Sequence, residues 1–493
     1  MKFIVKDALT EEEVQQGLKN VIRDGLTTQM MVTLTGGTFL VAFTLKLGAS
    51  NAVIGLLAAI PPLAMIIQIP SIYLVEKYRI RRAISAYASL ISRLPWFFIA
   101  LIPLFFSIDI ALPLFLVAFL LHSSFAAIGG CSWNSWMRDL VPQNKLGVFF
   151  SKRMALATAL GIVLSLAAGY YIDFSRELFP DNELYGYSVL FFLGFLAGMI
   201  GVYFISKIPE PRMIHAEKKV NFFELLRQPL RDINFKNLLI FLGSWNFAVN
   251  LAAPFFIVYM LKRLQFDVSV VIIFVVLSQI MNLVFFRMWG KFSDRFSNKS
   301  VLRVCGPLFI LTILAWTFTT LPEKYILTIP LLIVIHIFMG ISTAGITLAS
   351  GNIGLKLAPK GQATAYLATS SFVNSLAAGI APILGGILAD FFAVRELSWI
   401  IRWISPSGEL SFYTLNFQQW DFFFVIAFLI GLYSIHRLSA VKEIGEVEEK
   451  IVIQELLSEI KTQMRNFSTI GGLRQMVQFP FTVVKQMKKR KKK

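Results

Sequence analysis

Twelve times along this chain some twenty mostly apolar residues run together, and that recurrence leaves few folds open. A helix of about 20 apolar residues crosses the roughly 30 Å hydrocarbon layer of a bilayer. Within lipid each backbone N–H and C=O must be satisfied inside the structure, which leaves helices or closed barrels. The runs read as 25–46, 51–75, 83–106, 110–134, 153–173 and 187–207, then 237–261, 268–289, 301–321, 326–349, 364–391 and 420–437. Charged residues make up only 15% of the chain, against about a quarter in soluble domains, so burial of all twelve runs in a water-facing globule is excluded. An all-α polytopic membrane protein of twelve transmembrane helices is expected, with both ends on one side. Residues 1–24 read as a polar segment without the short apolar core of a cleaved signal.

The net charge of +18 would suggest nucleic acid in a soluble chain, but its distribution argues otherwise. Of 47 Lys and Arg, 26 fall in the first segment and alternate loops, 13 follow the last span, and 7 lie in the other loops. Such an imbalance is the topology signal of the positive-inside rule. Both termini are therefore expected in the cytoplasm, the membrane is read as the plasma membrane, and no nucleic-acid partner is expected. Cys131 and Cys305 support neither a disulfide framework nor a metal site. No glycine-rich phosphate loop follows a strand, so no cofactor, ATP-driven step or enzyme activity is expected.

An internal repeat divides the chain. Glu76 and Asp294 are 218 apart, as are Asn134 and Asn352, and Arg138 and Lys356; Gly169, Asp173 and Phe174 then match Gly386, Asp390 and Phe391 at 217. One alignment with a single deletion covers the second, fourth and fifth spans of both halves, so two six-helix units run parallel. The units are 25–207 and 237–437, joined by a linker at 208–236 and followed by a tail at 438–493.

Between the eighth and ninth runs, residues 290–299 read Gly-Lys-Phe-Ser-Asp-Arg-Phe-Ser-Asn-Lys. Gly290, Asp294, Arg295 and Lys299 in this order resemble the signature loop of the major facilitator superfamily. The first copy departs from it, with Ile72 in the glycine place, Glu76 as the acid, and Arg79 where a glycine is common. The resemblance extends over about 25–437 and implies two six-helix bundles rocking about a central site. It implies a cytoplasmic latch at Asp294, Arg295, Gly290 and Lys299, with Glu76, Arg81 and Arg82 in the weaker copy. Arg138 and Asp139, at the end of the fourth span, join the candidate gate, with a plain interhelical turn as the competing reading.

In that architecture the solute path is lined mainly by the first, fourth, seventh and tenth spans. The polar candidates are Gln29, Thr33, His122, Ser124, Asn246, Asn250, His336 and Ser342, with Asn282 and Asn374 from neighbouring spans. Each also suits an interhelical hydrogen bond. Arg93 lies about ten residues into the third span, where a charge is costly, and is read either as an anion attractor or as bound to helix carbonyls. No acid is expected at mid-span, and a coupling ion is left open. The glycines around Pro382 read as close helix packing. The aromatics of 393–419 are expected at the membrane interface or over a ligand path. The tail, amphipathic and ending in Lys488 to Lys493, is expected to lie on anionic lipid. A monomeric secondary transporter of a small molecule follows, with a sensor, scaffold or lipid- or pigment-assembly factor of the same fold as the rival.

Overall fold

A computed structural model describes residues 5–7, 9–142, 146–213, 222–320, 323–359 and 363–467. Twelve helices among them are long and apolar enough to cross a membrane. In chain order they are α1 (Glu11–Lys46), α2 (Asn51–Tyr78), α3 (Arg81–Phe105), α4 (Ile108–Leu140), α5 (Gly147–Leu178) and α6 (Leu184–Lys207). The second six are α7 (Ile233–Arg263), α8 (Val268–Arg295), α9 (Asn298–Phe318), α10 (Thr328–Leu357), α11 (Ala365–Phe392) and α12 (Trp420–Ser439). A further helix, α13 (Glu449–Phe467), follows. Twelve alternating helices leave both chain ends at one end of the bundle, called here the termini end, opposite a far end.

The first helix starts well before the apolar run that announces it. Thr10 caps it: its hydroxyl accepts from Glu13 N at 3.2 Å, and Glu13 Oε2 accepts from Thr10 N at 3.1 Å. With Glu11, Glu12 and Glu13 beside the positive end of the helix dipole, residues expected as a polar segment are helical from Glu11 onward. The helix breaks at Gly36, and Gly37 sits at φ +54°, a conformation open to glycine.

Each half has its own apolar core. In the first, Phe43 packs edge-on against Phe115 and Phe191, with ring centroids 5.5 and 4.9 Å apart. In the second, Phe256 stacks on Trp316 at 4.6 Å. The halves meet along α2 with α11 and α5 with α8. Glycines allow this approach, since a Cβ on Gly55 would collide with the Pro382 carbonyl and one on Gly386 with the Asn51 carbonyl.

Two small sheets complete the fold. β1 (Val5–Lys6) pairs in parallel with β2 (Glu210–Pro211), tying the chain start to the linker. β3 (Glu396–Ser405) and β4 (Gly408–Gln418) form an antiparallel hairpin at the far end between α11 and α12.

Candidate functional site

Two carboxylates tie one half to the other at the far end. Asp390, near the end of α11, accepts from Asn51 N at 3.1 Å, Asn51 Nδ2 at 2.8 Å and Ala52 N at 2.8 Å, capping α2. Asp173 of α5 accepts from Val268 N at 3.2 Å and Ser269 N at 3.0 Å, capping α8. Asp173 and Asp390 are 217 apart, and each reaches the start of the second helix of the opposite half. Each acid thus satisfies orphan amides of a helix in the opposite half, next to that helix's positive dipole end. Arg176 with Asp267 at 2.7 Å adds an ion pair across the same seam.

At the termini end carboxylates cap a helix within each half. Glu210 caps α3, accepting from Arg81 N at 2.6 Å and Arg82 N at 3.1 Å. Arg81 is fully buried, bonded to the Pro211 carbonyl at 2.8 Å and paired with Asp139. In the other half Glu443, from the segment after α12, accepts from Asn298 N at 3.3 Å and Lys299 N at 2.7 Å and pairs with Lys356 at 2.8 Å. Lys299 is buried and pairs with Glu446 at 2.5 Å.

The third cluster lies deep in the first half. Arg93 is twelve residues from either end of α3, about 18 Å along the helix from each. Its guanidinium donates to the Gly198 carbonyl and to Thr28 Oγ1 at 3.0 Å, and it pairs with Asp24 at 3.7 Å. Asp24 also faces Arg153 at 3.8 Å, whose guanidinium lies 5.1 Å from the Trp133 ring centroid. Gly25 and Gly201 leave room for these arginines. One buried acid therefore serves two arginines, a costly arrangement in a low-dielectric layer unless each charge is paired.

A further set of polar groups within each half is neutral. Gln29 bonds Thr33 at 3.1 Å, both facing Gly161 of α5. Asn246 bonds Asn374 at 3.1 Å across α7 and α11, and Asn250 donates to the Asn246 carbonyl at 2.8 Å. All are only partly buried.

The profile of the Major Facilitator Superfamily matches residues 25–382. The chain belongs to this superfamily. An uncharacterised MFS-type transporter of Methanocaldococcus jannaschii is 30% identical over 106 residues, 22% of this chain and 26% of that relative, so the match spans about a quarter of the relative's length. Among solved structures, a D-xylose–proton symporter superposes with a TM-score of 0.63 at 13% identity, covering 89% of this chain and 98% of the other. The nucleoside transporter NupG gives 0.61 at 14%, covering 88% and 99%. A bacterial homologue of the iron transporter ferroportin, solved in its inward-facing state, gives 0.58 at 12%, covering 88% and 100%. The MFS fold of twelve helices in a multi-pass membrane protein is thereby established, as is membership of a family of transporters.

Several expectations from the sequence change on this MFS scaffold. His336 and Ser342 are buried in the second half instead of lining a path: His336 Nδ1 meets the Leu332 carbonyl at 2.8 Å between Phe274 and Trp316, and Ser342 bonds the Phe338 carbonyl at 2.5 Å. His122 is likewise packed, its Nδ1 lying 2.6 Å from the Ser92 carbonyl and 3.1 Å from Trp96 Nε1. Ser124 and Asn282 stay partly buried. Arg93 binds a helix carbonyl and Asp24, so its charge is already answered, and Asp24 is an acid at mid-span depth where none was expected.

Asp294 and Glu76 are exposed and make no hydrogen bond or ion pair through their side chains among the described residues. Arg295 pairs with Glu455, and Gly290 packs near Leu348. Arg138 is exposed on the surface of α4. The tail does not lie away on a leaflet as far as it is described. The α13 residues Glu449, Glu455 and Glu459 meet Arg303, Arg295 and Lys291, and Val452 is fully buried. Acids at that helical spacing match the cations around the α8–α9 loop; the polybasic end lies outside the described residues. Sequence reading missed Glu210 and Glu443. They are 233 apart, outside the register of the repeat, and only the Pro-Glu-Pro at 209–211 marked the first.

Proposed function

We propose that this chain is a secondary transporter that moves a small solute by alternating access, and that the arrangement described is closed at the far end and open towards the termini. The observation that carries the proposal is the pair of repeat-related acids, Asp173 and Asp390, each bonded to a helix of the opposite half. Contacts between two bodies at one end are what a rocking pair must break and remake. The basic residues gathered on the termini side support a cytoplasmic placement of both ends, hence an inward-facing state, and we assign the protein to the cell membrane.

The groups that meet a solute in this proposal are Gln29 and Thr33 of α1, Asn246 and Asn250 of α7, and Asn374 of α11. They are amides and a hydroxyl, suited to a neutral polar molecule. Arg93, engaged by Asp24, is assigned to holding α1, α3 and α6 together. If an ion is coupled, Asp24 is its acceptor, since it is the mid-span acid among the described residues and is faced by Arg93, Arg153 and Thr28.

Counterflow tests the function directly. Proteoliposomes preloaded with each member of a metabolite panel should take up labelled solute transiently for at least one neutral polar compound, and Asn246→Ala should weaken it several-fold. A folded, monodisperse protein that shows no counterflow over the panel would favour the sensor, scaffold or assembly-factor reading instead.

A further inference from the structure

The hairpin β3–β4 takes no part in the seams or clusters above, and its two faces differ in composition, with a register shift between Trp399 and Ile400. Along β3 the residues Leu397, Trp399, Ile401 and Trp403 share one face by strand alternation and are 54, 69, 54 and 68% exposed. The register sets Leu410, 55% exposed, opposite Trp403. The other face carries Glu396, Ser398 and Arg402, together with Ile400 and Ile404, 37 and 76% exposed. There Asn416 Nδ2 donates to Glu396 at 2.6 Å, and Arg402 meets Glu409 at 3.5 Å. Hydrogen bonds from Ser398 and Asn416 hold the Glu396 carboxyl below its ordinary range, which keeps this face charged.

A contiguous apolar stripe with two tryptophans needs an occupant, because exposed patches of this size mark interaction surfaces. We propose that the hairpin lies on the membrane surface at the far end, with the Trp399–Trp403 face seated at the boundary between lipid headgroups and acyl chains. Three observations select lipid over a protein partner or the solute path. The stripe continues the lipid-facing side of α11: Ile380, Leu384, Ile387 and Phe391 are exposed at helical spacing, and exposed Val394 leads from them into β3. Both strands are short-tethered to spans, β3 starting four residues after Phe392 and β4 ending two before Trp420, so the base of the hairpin sits where the helices leave the bilayer. A two-stranded sheet also has two open edges, whose amides cannot be left in hydrocarbon but are satisfied by water and headgroups. Tryptophan itself favours that depth. A lid over the solute path would instead have its apolar face covered by the bundle, whereas Leu397, Ile401 and Trp403 are each more than half exposed.

The test uses the full chain with Cys131→Ser and Cys305→Ala, spin-labelled at Ile401→Cys or at Arg402→Cys, in phosphatidylcholine proteoliposomes. Power saturation compares access by oxygen, which concentrates in lipid, with access by a water-soluble nickel chelate. The proposal expects label 401 to favour oxygen and label 402 to favour nickel, by severalfold in the ratio, with the same contrast at Trp403→Cys against Ile404→Cys. Equal nickel access at 401 and 402 would place the stripe in water and overturn it. So would a 401 label shielded from both reagents, which would mean protein packed over the face.

Discussion

Neutralising Asp390 should tip the balance between the two states without touching the solute path. Asp390→Asn keeps the side-chain volume and one carbonyl oxygen but removes the charge and turns an NH2 towards a donor. The wild-type carboxylate takes three hydrogen bonds from α2, at 3.1, 2.8 and 2.8 Å. A hydrogen bond to a charged group is worth about 1.5–3 kcal/mol net and a neutral one about 0.5–1.5. A helix cap adds about 1 kcal/mol of its own. After substitution one oxygen still serves Asn51, while Ala52 N–H loses its acceptor, so the closed far end should weaken by about 2–3 kcal/mol. At 1.4 kcal/mol per tenfold that is about a 30- to 150-fold shift in the ratio of states. Asp173 takes two longer bonds, at 3.2 and 3.0 Å, and its amide should cost about 1–2 kcal/mol. Spin labels at Ile108→Cys and Ile326→Cys, exposed at the far ends of opposite halves, report the separation by double electron–electron resonance. The expected result is a growing long-distance population in the order wild type, D173N, D390N, double variant. An unchanged distribution in the double variant, with thermal stability intact, would show that these acids do not close the far end.

The other expectations concern stability. Asp24→Leu leaves buried Arg93 and half-buried Arg153 without their acid and should cost about 3–5 kcal/mol, read as a fall in the thermal midpoint in detergent; adding Arg93→Met should recover part of it. A loss no larger than that of an exposed pair would remove the cluster from the set of structural supports. Glu210→Gln and Glu443→Gln should each cost about 1–2 kcal/mol as lost caps, whereas Glu455→Lys on the exposed face of α13 should stay under about 1 kcal/mol. Equal losses from all three would mean that charge count, and not cap geometry, sets their worth.

Much of the fold was legible in the sequence because lipid restricts the choices so strongly. Twelve apolar runs, the one-sided charge and the 217–218 offset follow from bilayer thickness, topology and duplication, and the twelve runs are twelve helices in the structure. Even Arg79, standing where the family commonly has glycine, is visible as a consequence: it caps α2 in the left-handed region at φ 54°. The site was less legible, because apolar periodicity says nothing about which polar group meets which. Asp24 sat at the edge of a polar segment and read as solvent-facing until the Thr10 cap extended α1 outward and carried it inside. Asp173 and Asp390 were visible as a repeat, but their partners are backbone amides, which leave no side-chain signature. His122 and His336 read as path residues, yet each is spent on a carbonyl and an aromatic neighbour within its own half.

Carboxylate caps therefore stand at both ends of the bundle, but they join different bodies. Glu210 and Glu443 cap the third helix of their own half, so these bonds travel with the half and do not change when the halves rock. Asp173 and Asp390 cap the second helix of the other half, and those bonds must break. The helices so gripped, α8 and α2, carry Asp294 and Glu76 in their last turns, where a negative charge faces the negative end of the helix dipole at a cost of about 0.3–1 kcal/mol. Each helix thus has an acid of the opposite half at its amino end and an unengaged acid of its own at its carboxyl end. We propose that rocking which releases the first brings the termini end together, where Asp294 and Glu76 would take up a cap on the facing half. In this proposal the signature loop is a latch, and the inter-half seal at Asp173 and Asp390 is its counterpart, closed when the latch is open.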